Sequence, residues 1–345
     1  MELPSLRRNP SYGAILQALE SLQLKPTSWD EPSVPEVTSA GSDGSANMFL
    51  ISVIMSEFEW LQELKDDSGV VLTVDDQKEK LIKEASSRMS ERCGRSAAGE
   101  MTRTWIIPKS LSLPEIRFSI REPPLTGDQI GLKTWGTSYV LAKRLEYIGT
   151  EYLGPIINSQ TPSNHPKILE LGAGTGLVGM AAAAVWKSSV LLTDLEDIQE
   201  NLIFNINKNL STVSDLDGWI AGDVLDWTKP QDALPSLQSK KFEIVIAADP
   251  MYDDEHPELV ANMVKRFLEE GAESRALVAI PLRDAHTKRM ARHFSTILEN
   301  TGFCVVYQDL EACKDDWTSA EEVQVQWTIW RRIDVDTDFD GSNTF

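Results

Sequence analysis

The residues best suited to chemistry sit at the ends of short apolar runs in the second half of the chain. The stretch Lys167-Ile-Leu-Glu-Leu-Gly-Ala-Gly-Thr-Gly-Leu-Val-Gly-Met180 runs from a strand pattern through Glu170 into Gly172, Ala173, Gly174 and Gly176, and then into a helical pattern. Glycines so spaced permit positive φ and let main-chain N–H groups approach a ligand with no Cβ in the way. This is a loop for a nucleotide-type ligand. Gly174, Gly176 and Gly179 also spell the G-x-G-x-x-G of a dinucleotide fold, so the loop by itself leaves the ligand open. Asp194 follows about twenty positions later, where a carboxylate accepts two ribose hydroxyls at once. Its other use is to cap the next helix, for which Asp197 is available.

Three further groups fall at strand ends. Asp223, in Gly222-Asp-Val-Leu-Asp-Trp227, offers a carboxylate to an amino group on a base. Trp227 offers a flat face to the same ring, or packs as a lid over the loop. In Ile246-Ala-Ala-Asp-Pro-Met-Tyr252 the small Ala247 and Ala248 leave room for a ligand. Asp249 is placed to accept from an amine-bearing substrate and Tyr252 to orient it, although Asp-Pro also opens turns. Trp135 stands just ahead of a helix whose cap is Thr137 or Ser138, and is either core or a ligand contact.

Other chemistries lack their residues. No Gly-Lys-Thr/Ser supplies a phosphate lysine, and nothing after the fourth strand supplies an acid and base for hydride transfer. The four histidines (165, 256, 286, 293) share no motif, and His256-Pro257 reads as a helix start. Three cysteines (93, 304, 313) without C-x-x-C spacing argue against disulfides and against a metal site.

The elements that must position these residues alternate from residue 167 onward, as in a mostly parallel sheet covered on both faces. Strands are expected at 167–171, 190–193, 219–222, 242–248, 276–281, 302–308 and 323–330. Helices are expected at 176–185, 198–208, 258–271 and 285–300. No helical pattern separates the last two strands, so they form an antiparallel hairpin. In such a sheet the ligand lies beyond the carboxyl ends of the strands, where strand order reverses. The N-terminal part reads as an α+β extension. It has helical patterns at 14–24, 48–64 and 74–92, a loosely ordered Pro/Ser/Glu/Gly-rich stretch before residue 46, and strands near 105–108 and 116–120.

At 345 residues the chain accommodates one large α/β domain and an appendage. Its 53 acidic against 33 basic residues give a formal charge of −20, which repels nucleic acid and acidic membranes and suits a basic partner. No apolar run spans a membrane and no signal-peptide pattern opens the chain, so a cytoplasmic location is expected.

Glu170 to Gly176, Asp194, Trp227 and Asp249-Pro-Met-Tyr252, in this order on a seven-strand outline, resemble the S-adenosylmethionine-dependent methyltransferases of the seven-strand, Rossmann-like fold. The chain is most similar to the lysine-methylating family 16 type, whose members carry a Trp before the first motif, a Trp after the third strand and an Asp-x-x-Tyr motif after the fourth. The likeness covers about residues 130–332. Cys93-Gly-Arg-Ser-Ala-Ala-Gly99 and the long extension resemble the fungal branch that modifies elongation factor 2. The resemblance implies S-adenosyl-L-methionine as cofactor, held by Trp135, Gly172, Ala173, Gly174, Asp194, Trp227 and Ala248. It places Asp249 and Tyr252 beside a target lysine. Glu170, Gly176 and Asp223 join the cofactor set from the reading above, and no metal is required. The domains expected are an accessory region (1–125), a methyltransferase domain (126–333) and an acidic tail (334–345). The expected protein is a monomer with a protein substrate. Small-molecule methylation and a catalytically silent cofactor-binding scaffold are the alternatives.

Overall fold

The computed structural model describes residues 3–22, 42–65, 71–92, 100–124, 130–157, 167–271, 273–314 and 322–333, and divides into two compact units, Met1–Met101 and Thr102–Phe345. The segment 93–99, the tail 334–345 and most of the Pro/Ser-rich stretch lie outside the described residues.

In the first unit, α1 (Tyr12–Ser21), α2 (Ser42–Ile54) and α3 (Val74–Arg92) accompany a short antiparallel pair, β1 (Leu64–Lys65) and β2 (Val71–Leu72). Their apolar stripes meet in a core that includes Ile15, Leu19, Leu50, Val53, Phe58 and Leu81. The Ser11 side chain accepts from Ala14 N at the start of α1. Thr73 and Asp76 cap α3 reciprocally: Thr73 N donates to Asp76 Oδ2 and Asp76 N to Thr73 Oγ1. The helix expected over 48–64 is shifted: α2 begins earlier, at Ser42, and already ends at Ile54. Phe58 then takes a left-handed φ of 53° and buries its ring, and Trp60 Nε1 donates to Pro10 O. These aromatics are core residues anchored from a loop, which helical spacing could not distinguish from a helix face.

The second unit carries the hairpin β3 (Met101–Ile107) and β4 (Ile116–Glu122), which groups with the larger unit rather than the N-terminal one. Its main sheet comprises β5 (Ile168–Leu171), β6 (Ser189–Asp194), β7 (Trp219–Val224), β8 (Ile244–Ala248), β9 (Arg275–Pro281), β10 (Phe303–Lys314) and β11 (Glu322–Arg332), in the order β10-β11-β9-β8-β5-β6-β7. The five strands from β7 to β9 run parallel, and β11 and β10 close the sheet antiparallel, as the sequence led us to expect. The last two strands are longer than expected. The acidic run after 308 reads as loop but continues the exposed edge strand, with Leu310 opposite Gln326.

Helices α4 (Gly136–Tyr152), α5 (Gly154–Ile157), α6 (Leu177–Trp186), α7 (Glu196–Ser214), α8 (Pro235–Gln238), α9 (His256–Phe267) and α10 (Ala285–Asn300) complete the unit. On one face of the sheet Leu169, Leu171, Val245 and Ala247 pack with Val260 and Phe267 of α9 and Phe294 and Leu298 of α10. On the other, α6 lies so close that a Cβ on Gly179 would fall 2.3 Å from Glu170 Oε2, and Ile203 and Ile206 of α7 cover Gly222 of β7. Burial on both faces explains why these strands read as continuous apolar runs.

Candidate active site

The chain passes from β5 outward to β6 and β7, then returns to β8 on the other side of β5. Strand order therefore reverses between β5 and β8, and a crevice belongs at their carboxyl ends. Gly172 follows one strand and Asp249 the other, so the topology brings the glycine loop and the Asp249–Tyr252 segment to one place.

The loop is held from below by its own neighbours. Gly172 and Gly174 take φ of 65° and 56°, which side chains rarely adopt. A Cβ on Gly172 would lie 3.1 Å from Cζ2 of Trp227, and one on Gly174 3.0 Å from the carbonyl of Gly131. Ala173 N donates to Thr193 O, and Gly176 N to Ala173 O before α6 begins. Asp194, almost fully buried, accepts from Gly174 N on Oδ2 (2.7 Å) and from Leu195 N on Oδ1 (2.7 Å). Burial pushes its pKa up while the two amides pull it back. A carboxylate offers about four lone-pair sites, so acceptor capacity is left for hydroxyl donors.

The other strand ends are tied to it. Gln199 Nε2, on α7, donates to Asp223 O at 2.6 Å and Asp194 O at 3.4 Å, and Asp223 Oδ1 accepts from Val224 N. The Trp227 ring lies over Gly172, and its buried Nε1 has no hydrogen-bond acceptor among the described residues. A carboxylate with spare lone pairs, bare glycine backbone and an unmatched indole N–H fit a nucleoside-bearing ligand with polar groups of its own. Glu170 is different. Its carboxyl is enclosed beneath the loop, against Gly179 and near Leu192, and burial pushes its pKa up to about 8.

At the mouth, Asp249 adopts a left-handed φ of 54° while its N–H donates to Ala279 O of β9. Arg283, just beyond β9, grips the Asp249 carboxylate with both terminal nitrogens, at 3.1 Å to Oδ1 and 2.5 Å to Oδ2. Thr137 Oγ1 adds a third donor to Oδ2 at 3.2 Å. The expected capping role of Thr137 or Ser138 is thus not seen: α4 is preceded by Trp135, with no side-chain cap bond, and the Thr137 hydroxyl turns to Asp249. Trp135 donates from Nε1 to Ile130 O, and its ring lies near two cations, Lys133 Nζ at 4.4 Å and the Arg283 guanidinium at 5.2 Å. Ala248 ends β8 nearly buried, whereas Tyr252 is 56% exposed.

His256 starts α9, as its His-Pro sequence led us to expect, and also packs beside the mouth, which that reading did not use. Its Nδ1 accepts from Tyr252 N and Asp253 N, and its ring meets that of Tyr252 edge-on at 4.1 Å and that of Trp227 at 6.0 Å. Two donors on Nδ1 require an unprotonated nitrogen there, and burial lowers the pKa accordingly. Sequence reasoning missed Arg283 and Gln199. Arg283 had one visible signal, its position directly after a strand that borders β8. Among the described residues no group of three or more His, Cys, Asp or Glu is arranged to hold a metal.

The sequence matches the model of a lysine methyltransferase family over residues 113–300, more than half of the chain. It is 35% identical over 252 residues to the protein-lysine N-methyltransferase EFM2 of Saccharomyces cerevisiae, a match covering 69% of this chain and 57% of that protein. It is 28% identical over 332 residues to the protein-lysine N-methyltransferase rrg1 of Schizosaccharomyces pombe, covering 96% and 97% of the two chains. A match to the mouse protein-lysine methyltransferase METTL21E is 31% identical and covers 36% of this chain and 46% of that one. The glycine loop, Asp194, Trp227 and the Asp249–Tyr252 mouth all lie within the matched span, and the chain belongs to the lysine methyltransferase family, enzymes whose methyl donor is S-adenosylmethionine.

Proposed function

We propose that this protein is a protein-lysine N-methyltransferase that binds S-adenosylmethionine through Trp135, Glu170, Gly172, Ala173, Gly174, Gly176, Asp194, Asp223, Trp227 and Ala248, and receives the lysine between Asp249 and Tyr252. The observation that carries the reading is the meeting, at the reversal of strand order, of a glycine loop pinned by Asp194 and a strand end that presents Asp249. Glu170 acts from beneath the loop, through packing and charge, because its carboxyl is enclosed.

When bound, S-adenosylmethionine supplies an electrophilic methyl group on a sulfonium. The chain's own task is positional, since bringing nucleophile and electrophile into line is worth many orders of magnitude in rate. The lysine enters as an ammonium and gives one proton to water at the half-exposed mouth. Its lone pair then forms the N–C bond as the C–S bond breaks. Asp249 accepts a remaining N–H, and the Tyr252 ring walls the approach. Burial raises the Tyr252 pKa, reinforced by the charges of Asp194 and Asp253, so the phenol stays protonated and donates or accepts without carrying charge.

The finer assignment is to a translation factor, elongation factor 2, in the cytoplasm, with the enzyme a monomer. Its support is the resemblance of residues 93–99 and of the N-terminal extension to that fungal branch. No described helix is long and apolar enough to cross a membrane. Incubation with methyl-labelled S-adenosylmethionine and cell extract, followed by mass spectrometry, tests the reading. A labelled lysine in a protein supports it. Label in small molecules alone selects small-molecule methylation, and binding without label selects a silent scaffold.

A further inference from the structure

An unpaired carboxylate at the mouth would be a poor partner for methyl transfer to lysine. An opposite charge within about 4–6 Å moves a pKa by roughly one to three pH units toward the charged form. A bare Asp249 would therefore hold the lysine as an ammonium, with its lone pair occupied by a proton. The structure shows a different arrangement. Asp249 has a side chain only 7% exposed, and its charge is already matched by the Arg283 fork and by the Thr137 hydroxyl. Oδ2 takes two of these three bonds, which leaves open acceptor capacity on Oδ1.

We propose that Arg283 is a positioning residue for the methyl-accepting lysine: it neutralises Asp249 and fixes the plane of its carboxylate, so that Oδ1 aligns the incoming amine without trapping it as an ammonium. The proposal rests on the reading of Asp249 as the lysine-facing carboxylate. The bidentate fork matters as well as the charge, because two parallel N–H···O bonds set the orientation of the carboxylate where a lysine at 283 would supply only a point charge.

Among the described residues, the other charged or titrating groups around the mouth include Lys133 beside Trp135, Asp194 at the end of β6, Tyr252, Asp253, Asp254, Glu255 and His256 after β8, and Asp284 and His286 at the start of α10. Burial moves the His256 pKa down, away from the alkaline range in which a lysine amine loses its proton and kcat rises.

Two measurements on the full chain test the proposal. The first needs no methyl acceptor. Sinefungin carries a primary amine where S-adenosylmethionine carries its sulfonium methyl, and S-adenosylhomocysteine carries neither. Calorimetry at neutral pH gives the ratio of their affinities. The R283M variant is expected to favour sinefungin over S-adenosylhomocysteine about ten-fold more than the unaltered protein does, because its ammonium then meets an unmatched Asp249. The second follows the pH dependence of kcat with purified elongation factor 2 as acceptor. R283M is expected to move the rising limb, on which kcat increases as the amine loses its proton, upward by roughly one pH unit or more. R283K is expected to keep the limb in place but lower kcat, and D249N/R283M to return the limb toward its original position.

A merely structural role would lower thermal stability and kcat while leaving the ligand ratio and the limb unmoved, and that result overturns the proposal. Should R283M fail to fold, R283Q, which also removes the charge, takes its place: the same shifts in ratio and limb are expected, and an unmoved ratio and limb in R283Q overturn the proposal. Failure of the lysine-methylation reading shows separately, as absence of labelled protein with the sinefungin ratio still measurable.

Discussion

Asp194 illustrates how one side chain serves two purposes. Sequence spacing marked it as a ribose acceptor, and the structure adds that both its oxygens tie down backbone amides, Gly174 in the loop and Leu195 beyond the strand. Hydrogen bonds to a charged group contribute about 1.5–3 kcal/mol each, so Asp194→Ala is expected to weaken S-adenosylmethionine binding at least ten-fold by calorimetry. Unchanged affinity would remove Asp194 from the site. Glu170 supports a pH prediction. Its folded-state pKa of about 8 lies above the ordinary 4.5, so the folded state holds the proton more tightly than the unfolded chain. That contribution is full below about 4.5 and is lost as pH rises through about 8. Thermal melts are expected to show falling stability across this window, and Glu170→Gln is expected to flatten the decline. The acidic residues of the site were legible because each lies at or next to the carboxyl end of a strand. The contacts of Arg283 and His256 were not, because the partners, Asp249 and the amides of residues 252 and 253, become neighbours only through the sheet order and the turn after β8.

At the scale of elements, α7 carries a polar row inside an otherwise amphipathic helix. Asn201, Asn205 and Asn209 recur every four residues, are buried, and face the backbone of β4. Asn209 Oδ1 accepts from Ser119 N while its Nδ2 donates to Ser119 O; Asn205 does the same at Arg121, and Asn201 Nδ2 also donates to Arg121 O. Asn205 Nδ2 further reaches Thr175 O in the glycine loop, whose hydroxyl pairs with that of Thr134 at 2.7 Å. Thr134 N in turn donates to Glu122 at the end of β4. The loop is thereby braced from the hairpin as well as from its own strand. Asn205→Ala is expected to cost about 1–3 kcal/mol, since it leaves buried backbone groups unmatched. For a unit of this size that is a fall of roughly 3–10 °C in Tm. Cofactor affinity is expected to fall with it. An unchanged affinity in a destabilised variant would show that the brace holds the hairpin alone. The seven strands and the closing hairpin could be read from apolar alternation, but this asparagine row could not: in a one-dimensional pattern three asparagines on a helix look like a solvated face.

Across the whole molecule the formal charge of −20 bears on how a basic protein substrate arrives. Long-range attraction raises the rate of encounter and is screened over a Debye length of about 8 Å at physiological ionic strength. Raising salt from about 0.05 to 0.5 M is therefore expected to raise KM for a basic protein acceptor several-fold with little change in kcat. A flat KM would mean that short-range contacts alone select the substrate. Neither charge nor motif spacing identifies that substrate.

The asparagine row also bears on solubility. A two-stranded hairpin ordinarily presents a free line of N–H and C=O groups, a template on which another chain can pair and from which aggregates grow. Along β4 the amide side chains of α7 occupy that line at residues 119 and 121, in place of a further strand. The helix thus acts as a sealant, and variants that strip it expose a sticky edge whose consequence is self-association and poor yield before any change in catalysis.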